Sequence, residues 1–124
     1  MKKFEEGSVN FMTGFDEREK GFEAKYRLEQ ENRFKISARR NKLLGLWAAE
    51  RMGLSGASAE EYAKEVVVAD FEKPGDADVL EKVLNDLTEK GLEITDIQVR
   101  KQMDKLTETA REQIMNELKS GDSA

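Results

Sequence analysis

The sequence predicts an all-α protein: a four-helix bundle with a long first helix and a disordered N-terminal arm. Apolar residues recur at three- and four-residue steps from Phe15 to Leu118, the period of helices that bury one face. Glycine, proline and capping signals cut that pattern into four segments joined by short turns, which favours antiparallel neighbours. Hydrophobic and charged residues each make up 38% of the chain, a balance suited to amphipathic helices around one modest core of a 124-residue protein. The expected organisation is a disordered tail over residues 1–14 and a single helical domain over 15–120, with helices at about 16–52, 58–71, 76–90 and 95–119.

Met1 to Gly14 shows no sustained periodicity and contains Gly7, Ser8, Asn10 and Gly14, hence the disordered tail. Asp16 can cap the first helix, with Glu17 and Glu19 beside its positive dipole end. On a helical projection Phe15, Phe22, Tyr26, Ile36, Leu43, Leu44 and Trp47 form one stripe, interrupted by Glu29, Arg33 and Arg40. The C-terminal half of this helix therefore faces a core, and Gly45 among its apolar residues allows close helix approach. The N-terminal half offers only Phe22 and Tyr26.

Gly53 and Ser55-Gly56 end the first helix, and Ser58-x-x-Glu61 has the pattern of a capping box for the second. Its inward residues are expected to be Tyr62, Ala63, Val66 and Val67; the Val66–Val68 run has strand propensity, but a lone strand would have no partner. Lys73-Pro74-Gly75 stops it, Asp76 is placed to cap the third helix, and Leu80, Val83, Leu84 and Leu87 line that helix up to Gly91. Thr95-x-x-Gln98 resembles a second capping box, with Ile94 and Val99 set for a hydrophobic staple. The last helix repeats Val99, Met103, Leu106, Ala110, Ile114 and Leu118 before Gly121.

Composition removes most chemistry. The chain has 0 His and 0 Cys, so the commonest general base, the thiol nucleophile and most transition-metal ligands are missing. No EF-hand spacing, GxGxxG or GxxxxGK[ST] occurs, and Asp76-Ala-Asp78 reads as a helix start rather than a metal site. No apolar run approaches the ~20 residues that span a bilayer, and the N-terminus lacks the apolar region of a signal peptide, so a soluble, unexported protein is expected. The expected reading is no enzyme, no cofactor and no metal.

The net charge of -5 hides a gradient: residues 15–52 carry an excess of bases and residues 53–124 an excess of acids. Arg39-Arg40-x-Lys42 therefore has two readings, attraction to the acidic helices of the same chain or a surface for an acidic partner. Nucleic-acid binding is not expected from an acidic chain, and Trp47 falls on the core stripe beside Leu43 and Leu44. That leaves an interaction module. Phe15-Asp-Glu-Arg-Glu-Lys-Gly-Phe-Glu-Ala-Lys-Tyr26 keeps aromatics on one face of a highly charged helix. Either those aromatics fold back on the bundle, or the helix enters a groove on a partner.

Phe15-Asp-Glu-Arg-Glu19, Phe22-Glu-Ala-Lys25 and above all Arg39-Arg-Asn-Lys-Leu-Leu-Gly-Leu-Trp-Ala-Ala49 resemble the zeta subunit of alpha-proteobacterial F1-ATPase. Tyr62-Ala-Lys-Glu-Val-Val67, Ala69-Asp-Phe-Glu72 and Gly75-Asp-Ala-Asp-Val79 carry the same resemblance, which spans about Met12 to Lys119. It implies a small four-helix inhibitor of ATP hydrolysis by the bacterial F1Fo-ATP synthase, with an N-terminal segment that is mobile when free. When bound, that segment lengthens the first helix and wedges at a catalytic interface of the head and against the central rotor, blocking rotation.

By motif position the inhibitory segment is Met12 to about Tyr26, with partner-binding residues Phe15, Asp16, Glu17, Arg18, Glu19, Lys20, Phe22, Glu23, Lys25 and Tyr26. The implied partners are the alpha and beta subunits of the catalytic head and the gamma subunit of the central stalk. The resemblance also implies a cytoplasmic protein, monomeric when free and not integral to the membrane, held at the cytoplasmic face of the inner membrane through F1. Relative to the family pattern Met1–Phe11 is an extension: either the start is Met12, or the tail adds length before the wedge. The alternative is a non-inhibitory helical regulatory or structural subunit that binds F1 or another protein through the same arm.

With 0 His, the chain has no side chain whose ordinary pKa lies between about pH 6 and 8. Its far-ultraviolet circular dichroism is expected to stay flat across that range. A steep change in helicity there would require a strongly shifted carboxylate.

Overall fold

The computed structural model describes the backbone over residues 8–121 and the side chains over 23–121. Among the described residues the chain is all-α, with α1 (Ser8–Arg51), α2 (Ala57–Glu72), α3 (Asp76–Glu89) and α4 (Asp96–Ser120) and no strand. It divides into two units, Met1–Phe34 and Lys35–Ala124. The first contributes the N-terminal part of α1; the second holds the rest of α1 and the three shorter helices.

The tail expected over residues 1–14 lies, for residues 1–7, outside the described residues. α1 itself begins at Ser8, upstream of the Asp16 cap read from the sequence. No proline stands between Ser8 and Asp16 to forbid it.

The core of the second unit takes Leu44, Ala48 and Ala49 from α1, Ala59, Tyr62 and Val66 from α2, Val79, Val83 and Leu87 from α3, and Val99 and Met103 from α4. The inward faces of α2, α3 and α4 follow the expected spacing, with small shifts: Val67, Leu80, Leu84 and Leu106 are half-buried, while Ala59 and Val79 are fully in. The face of α1 departs further. The stripe turned inward is Arg40, Asn41, Leu44, Gly45, Ala48 and Ala49; Ile36, Leu43 and Trp47 are only half-buried and Tyr26 is exposed. Arg40, expected to interrupt the buried stripe, is part of it.

Gly45 explains the choice sterically. A Cβ at this position would lie 2.5 Å from the Ala63 Cα, a distance no real side chain adopts, so α1 and α2 cross backbone against backbone. Ala48, Ala49, Ala59 and Ala63 are all buried around this part of the core.

The helix ends satisfy their orphan groups in two ways. Gly53 and Gly91, both left-handed, close α1 and α3 with paired bonds from the residues past the end: Leu54 N–H to Ala49 O (2.8 Å), and Leu92 N–H to Leu87 O (3.2 Å). Thr95 and Gln98 form a reciprocal capping box at α4, through Gln98 N–H to Thr95 Oγ1 and Thr95 N–H to Gln98 Oε1. The other two expected caps do not form. Gly56 and Gly75 occupy the N-cap positions of α2 and α3, so Ser58 and Asp76 fall inside their helices. Asp76 instead spends its carboxylate on arginines of α1 and α4.

A polar seam joins α2 to α3. The Tyr62 hydroxyl donates to Asp86 Oδ2 (2.8 Å), which also accepts from Lys82 Nζ (3.0 Å), and Lys82 reaches Glu65 Oε1 at 3.3 Å. Burial first, then the hydrogen bond to Asp86 and the charges of Asp86 and Glu65, push the Tyr62 hydroxyl far above its ordinary 10.0. Partial burial of Lys82 works against its charge, but Asp86 and Glu65 outweigh it and its pKa rises above 10.5.

Two predictions follow from these contacts. Gly45→Ala gains about 1 kcal/mol of helix propensity but meets backbone, so overpacking at the upper end of about 1–3 kcal/mol should win. A net loss of about 1–2 kcal/mol by urea denaturation is expected; an unchanged midpoint would contradict the crossing. Tyr62 and Lys82 both hold their protons more tightly when folded. Their contribution is therefore complete below about pH 10 and is lost as the pH climbs beyond it. Tyr62→Phe should lower stability near neutrality by about 0.5–1.5 kcal/mol and flatten the alkaline loss, read from denaturation midpoints at stepped pH.

Candidate functional site

All of the residues placed in the arm by sequence, Phe15, Asp16, Glu17, Arg18, Glu19, Lys20, Phe22, Glu23, Lys25 and Tyr26, lie on α1. The side chains up to Phe22 are outside the described residues. Glu23 and Lys25 are exposed, and Tyr26 keeps 58% of its surface in solvent. The same unit exposes Leu28 and, at 55%, Phe34. Tyr26, Gln30 and Phe34 follow one another at four-residue steps and so share a helix face. Sequence reading stopped at Tyr26 and missed Leu28 and Phe34, because their neighbours are charged and no longer periodic.

The second unit holds a polar cluster built on Arg39, Arg40 and Asn41. Arg40 is 5% exposed and Asn41 1%. Arg40 donates from Nε to Asn41 Oδ1 (2.8 Å), from Nη2 to Asp76 Oδ1 at the start of α3 (2.9 Å), and at 3.5 Å from Nη1 to Thr107 Oγ1 on α4. Asn41 Nδ2 donates to Asp70 Oδ2 on α2 (3.0 Å), and the other Asp70 oxygen accepts from Gly75 N–H in the α2–α3 turn (3.3 Å). Arg39 reaches α4, donating to Gln113 Oε1 (2.7 Å) and pairing with Glu117 Oε2 (2.8 Å). Arg100 adds a longer contact to Asp76 at 3.8 Å.

An arginine buried without partners costs several kcal/mol, so this arrangement is tolerable only because the guanidinium has acceptors on several sides. Of the two readings of the basic cluster, attraction within the chain therefore accounts for Arg39 and Arg40, whose partners include the carboxylates of Asp76 on α3 and Glu117 on α4 and the amide of Gln113 on α4. Lys42 alone of the three cations is exposed. Trp47 packs against the core cluster, and its outer face carries the Arg51 guanidinium 5.1 Å from the ring centroid. The importance of Asn41 escaped sequence reading. The signal was available in the repeat Arg40-Asn41, Leu44-Gly45, Ala48-Ala49, two adjacent positions every four residues.

Among the described residues no group of three or more His, Cys, Asp or Glu side chains could hold a metal ion, and no helix is long and apolar enough to cross a membrane. The described part of the arm leaves Glu23, Lys25 and Tyr26 exposed, and the polar cluster of the second unit ties its α1 segment to three helices.

Comparison with known proteins agrees with the resemblance seen in the sequence. A protein of known solution NMR structure is 50% identical, aligned over 68% of this chain and 95% of that one, with a TM-score of 0.60. The search of curated proteins gave no match. The family model described as ATPase inhibitor subunit zeta matches residues 12–113, which takes in the arm, the Arg39–Ala49 block and most of α4. The chain therefore belongs to the ATPase inhibitor subunit zeta family.

Proposed function

We propose that this protein inhibits ATP hydrolysis by the bacterial F1Fo-ATP synthase by presenting residues 12–26 of α1 as a helical wedge. The wedge enters a catalytic interface between alpha and beta subunits of the head and bears on the gamma subunit, so that rotation stops. The protein acts by binding and has no catalysis of its own. It works on the cytoplasmic face of the inner membrane as a monomer recruited to F1. The single observation that supports this most is the family match, which begins at residue 12 and so includes the arm as well as the bundle. The exposure of Glu23, Lys25 and Tyr26 is consistent with it, since a binding face must be open before the partner arrives.

The energetics say what the partner has to supply. Burying Phe22 and Tyr26 fully yields on the order of 2–3 kcal/mol each. Ordering about 12 residues from a free chain costs roughly 1–2 kcal/mol per residue, which two aromatics cannot offset. A segment that is the continuation of an existing helix avoids the nucleation penalty, about 4 kcal/mol. Charge-assisted bonds from Asp16, Glu17, Arg18, Glu19, Lys20, Glu23 and Lys25 to groups lining the cleft then make up the remainder. Phe15, at the start of the stripe, is the third aromatic available.

The decisive experiment is ATP hydrolysis by purified F1 with the full-length protein and with a version lacking residues 1–26. Inhibition by the first and not the second is expected. No inhibition by either would point to the non-inhibitory subunit instead. Phe22→Ala with Tyr26→Ala should weaken inhibition about 100-fold or more, roughly 3 kcal/mol, with the thermal unfolding of the bundle unchanged. Full inhibition by that double variant would sink the wedge.

A further inference from the structure

We propose that Arg40 and Asn41 are positioning residues, whose buried hydrogen bonds select which face α1 turns toward α2, α3 and α4 against a more apolar face of the same helix. α1 carries two candidate faces. One runs through Ile36, Leu43, Leu44 and Trp47 and is interrupted by Arg40; the other runs through Asn41, Leu44, Gly45, Ala48 and Ala49. They differ by about one residue step, roughly 100° of rotation. The first offers far more apolar area, and burial alone favours it. Yet the second is turned inward: Leu44, Ala48 and Ala49 are fully buried, while Ile36, Leu43 and Trp47 keep part of their surface in water.

Two features oppose the apolar face, and neither is a burial effect. Asn41 has its amide matched on both sides in this setting, donating to Asp70 at 3.0 Å and accepting from Arg40 at 2.8 Å. Rotation by one residue step removes both bonds and moves Arg40 away from Asp76. Gly45, the second feature, seats the Ala63 backbone where any larger residue of the other face would hold the helices apart. Glycine permits the close setting, and the polar pair makes it the preferred one. This is a buried polar network acting on specificity rather than on stability.

The test uses the full chain with Asn41→Ala, and with Arg40→Met plus Asn41→Ala, which remove the hydrogen bonds while adding little apolar area to the face now buried. Trp47 is the 1 Trp of the sequence and lies on the competing face, so it reports the setting directly. Both variants should remain helical and unfold cooperatively, with Trp47 emission shifted to the blue and acrylamide quenching reduced. If the double variant does not fold, the single one decides. Unchanged Trp47 emission and quenching in a folded variant would overturn the proposal. So would unfolding of both variants, which makes the pair a stability element only.

Discussion

The second unit depends on how near α1 comes to α2. Gly45 leaves the Ala63 Cα closer than a side chain could tolerate, so the two helices meet through small residues. That crossing leaves the filling of the core to the larger residues of the other helices: Val66, Val79, Val83, Leu87, Val99 and Met103. It also means that α1 contributes little apolar mass. Among the described residues of α1, Leu44 is the only large hydrophobic side chain that is fully buried. A helix that buries glycine and alanine has given up much of the force that usually holds a helix in a bundle.

Polar contacts compensate, and their placement matters as much as their number. Arg39, Arg40 and Asn41 stand at the N-terminal end of the α1 segment in this unit and reach α4, α3 and α2 respectively. Gly75 in the α2–α3 turn is fastened to the same cluster through Asp70. Removing one partner from such a network is costly because the others are left buried and unmatched, whereas apolar contacts fail more gradually. The α1 segment of this unit is thus held by directional bonds, which tolerate little rotation.

How much of this was readable in advance divides by mechanism. The inward faces of α2, α3 and α4 follow from spacing, because their large buried residues are tyrosine, valine, leucine, isoleucine and methionine, which periodicity detects. The glycine stops and the Thr95–Gln98 box were equally legible, being local in sequence. The α1 face was not. A periodicity argument weights Trp47 and Leu43 heavily, gives Gly45 and Ala48 almost nothing, and treats Arg40 and Asn41 as interruptions. Their partners Asp70, Asp76 and Thr107 lie on other helices, and no local pattern announces them. The failed caps have the same origin, since Asp76 had the right identity for a cap but found a better partner in Arg40. The arm residues were assigned by resemblance, because exposed charges and a few aromatics look alike whether they bind or merely face solvent.

A wedge with few large apolar side chains cannot act as a free peptide, because its ordering cost exceeds what its aromatics return. In the proposed inhibition the bundle is therefore part of the binding energy even where it touches nothing. It supplies a helix already nucleated, so that entry into the cleft loses less freedom. Within the bundle, a contact built on apolar area alone would have turned the Trp47 face of α1 inward. One built on Gly45 and a matched Arg40–Asn41 pair sets the face by geometry, and accepts a smaller hydrophobic contact to do so.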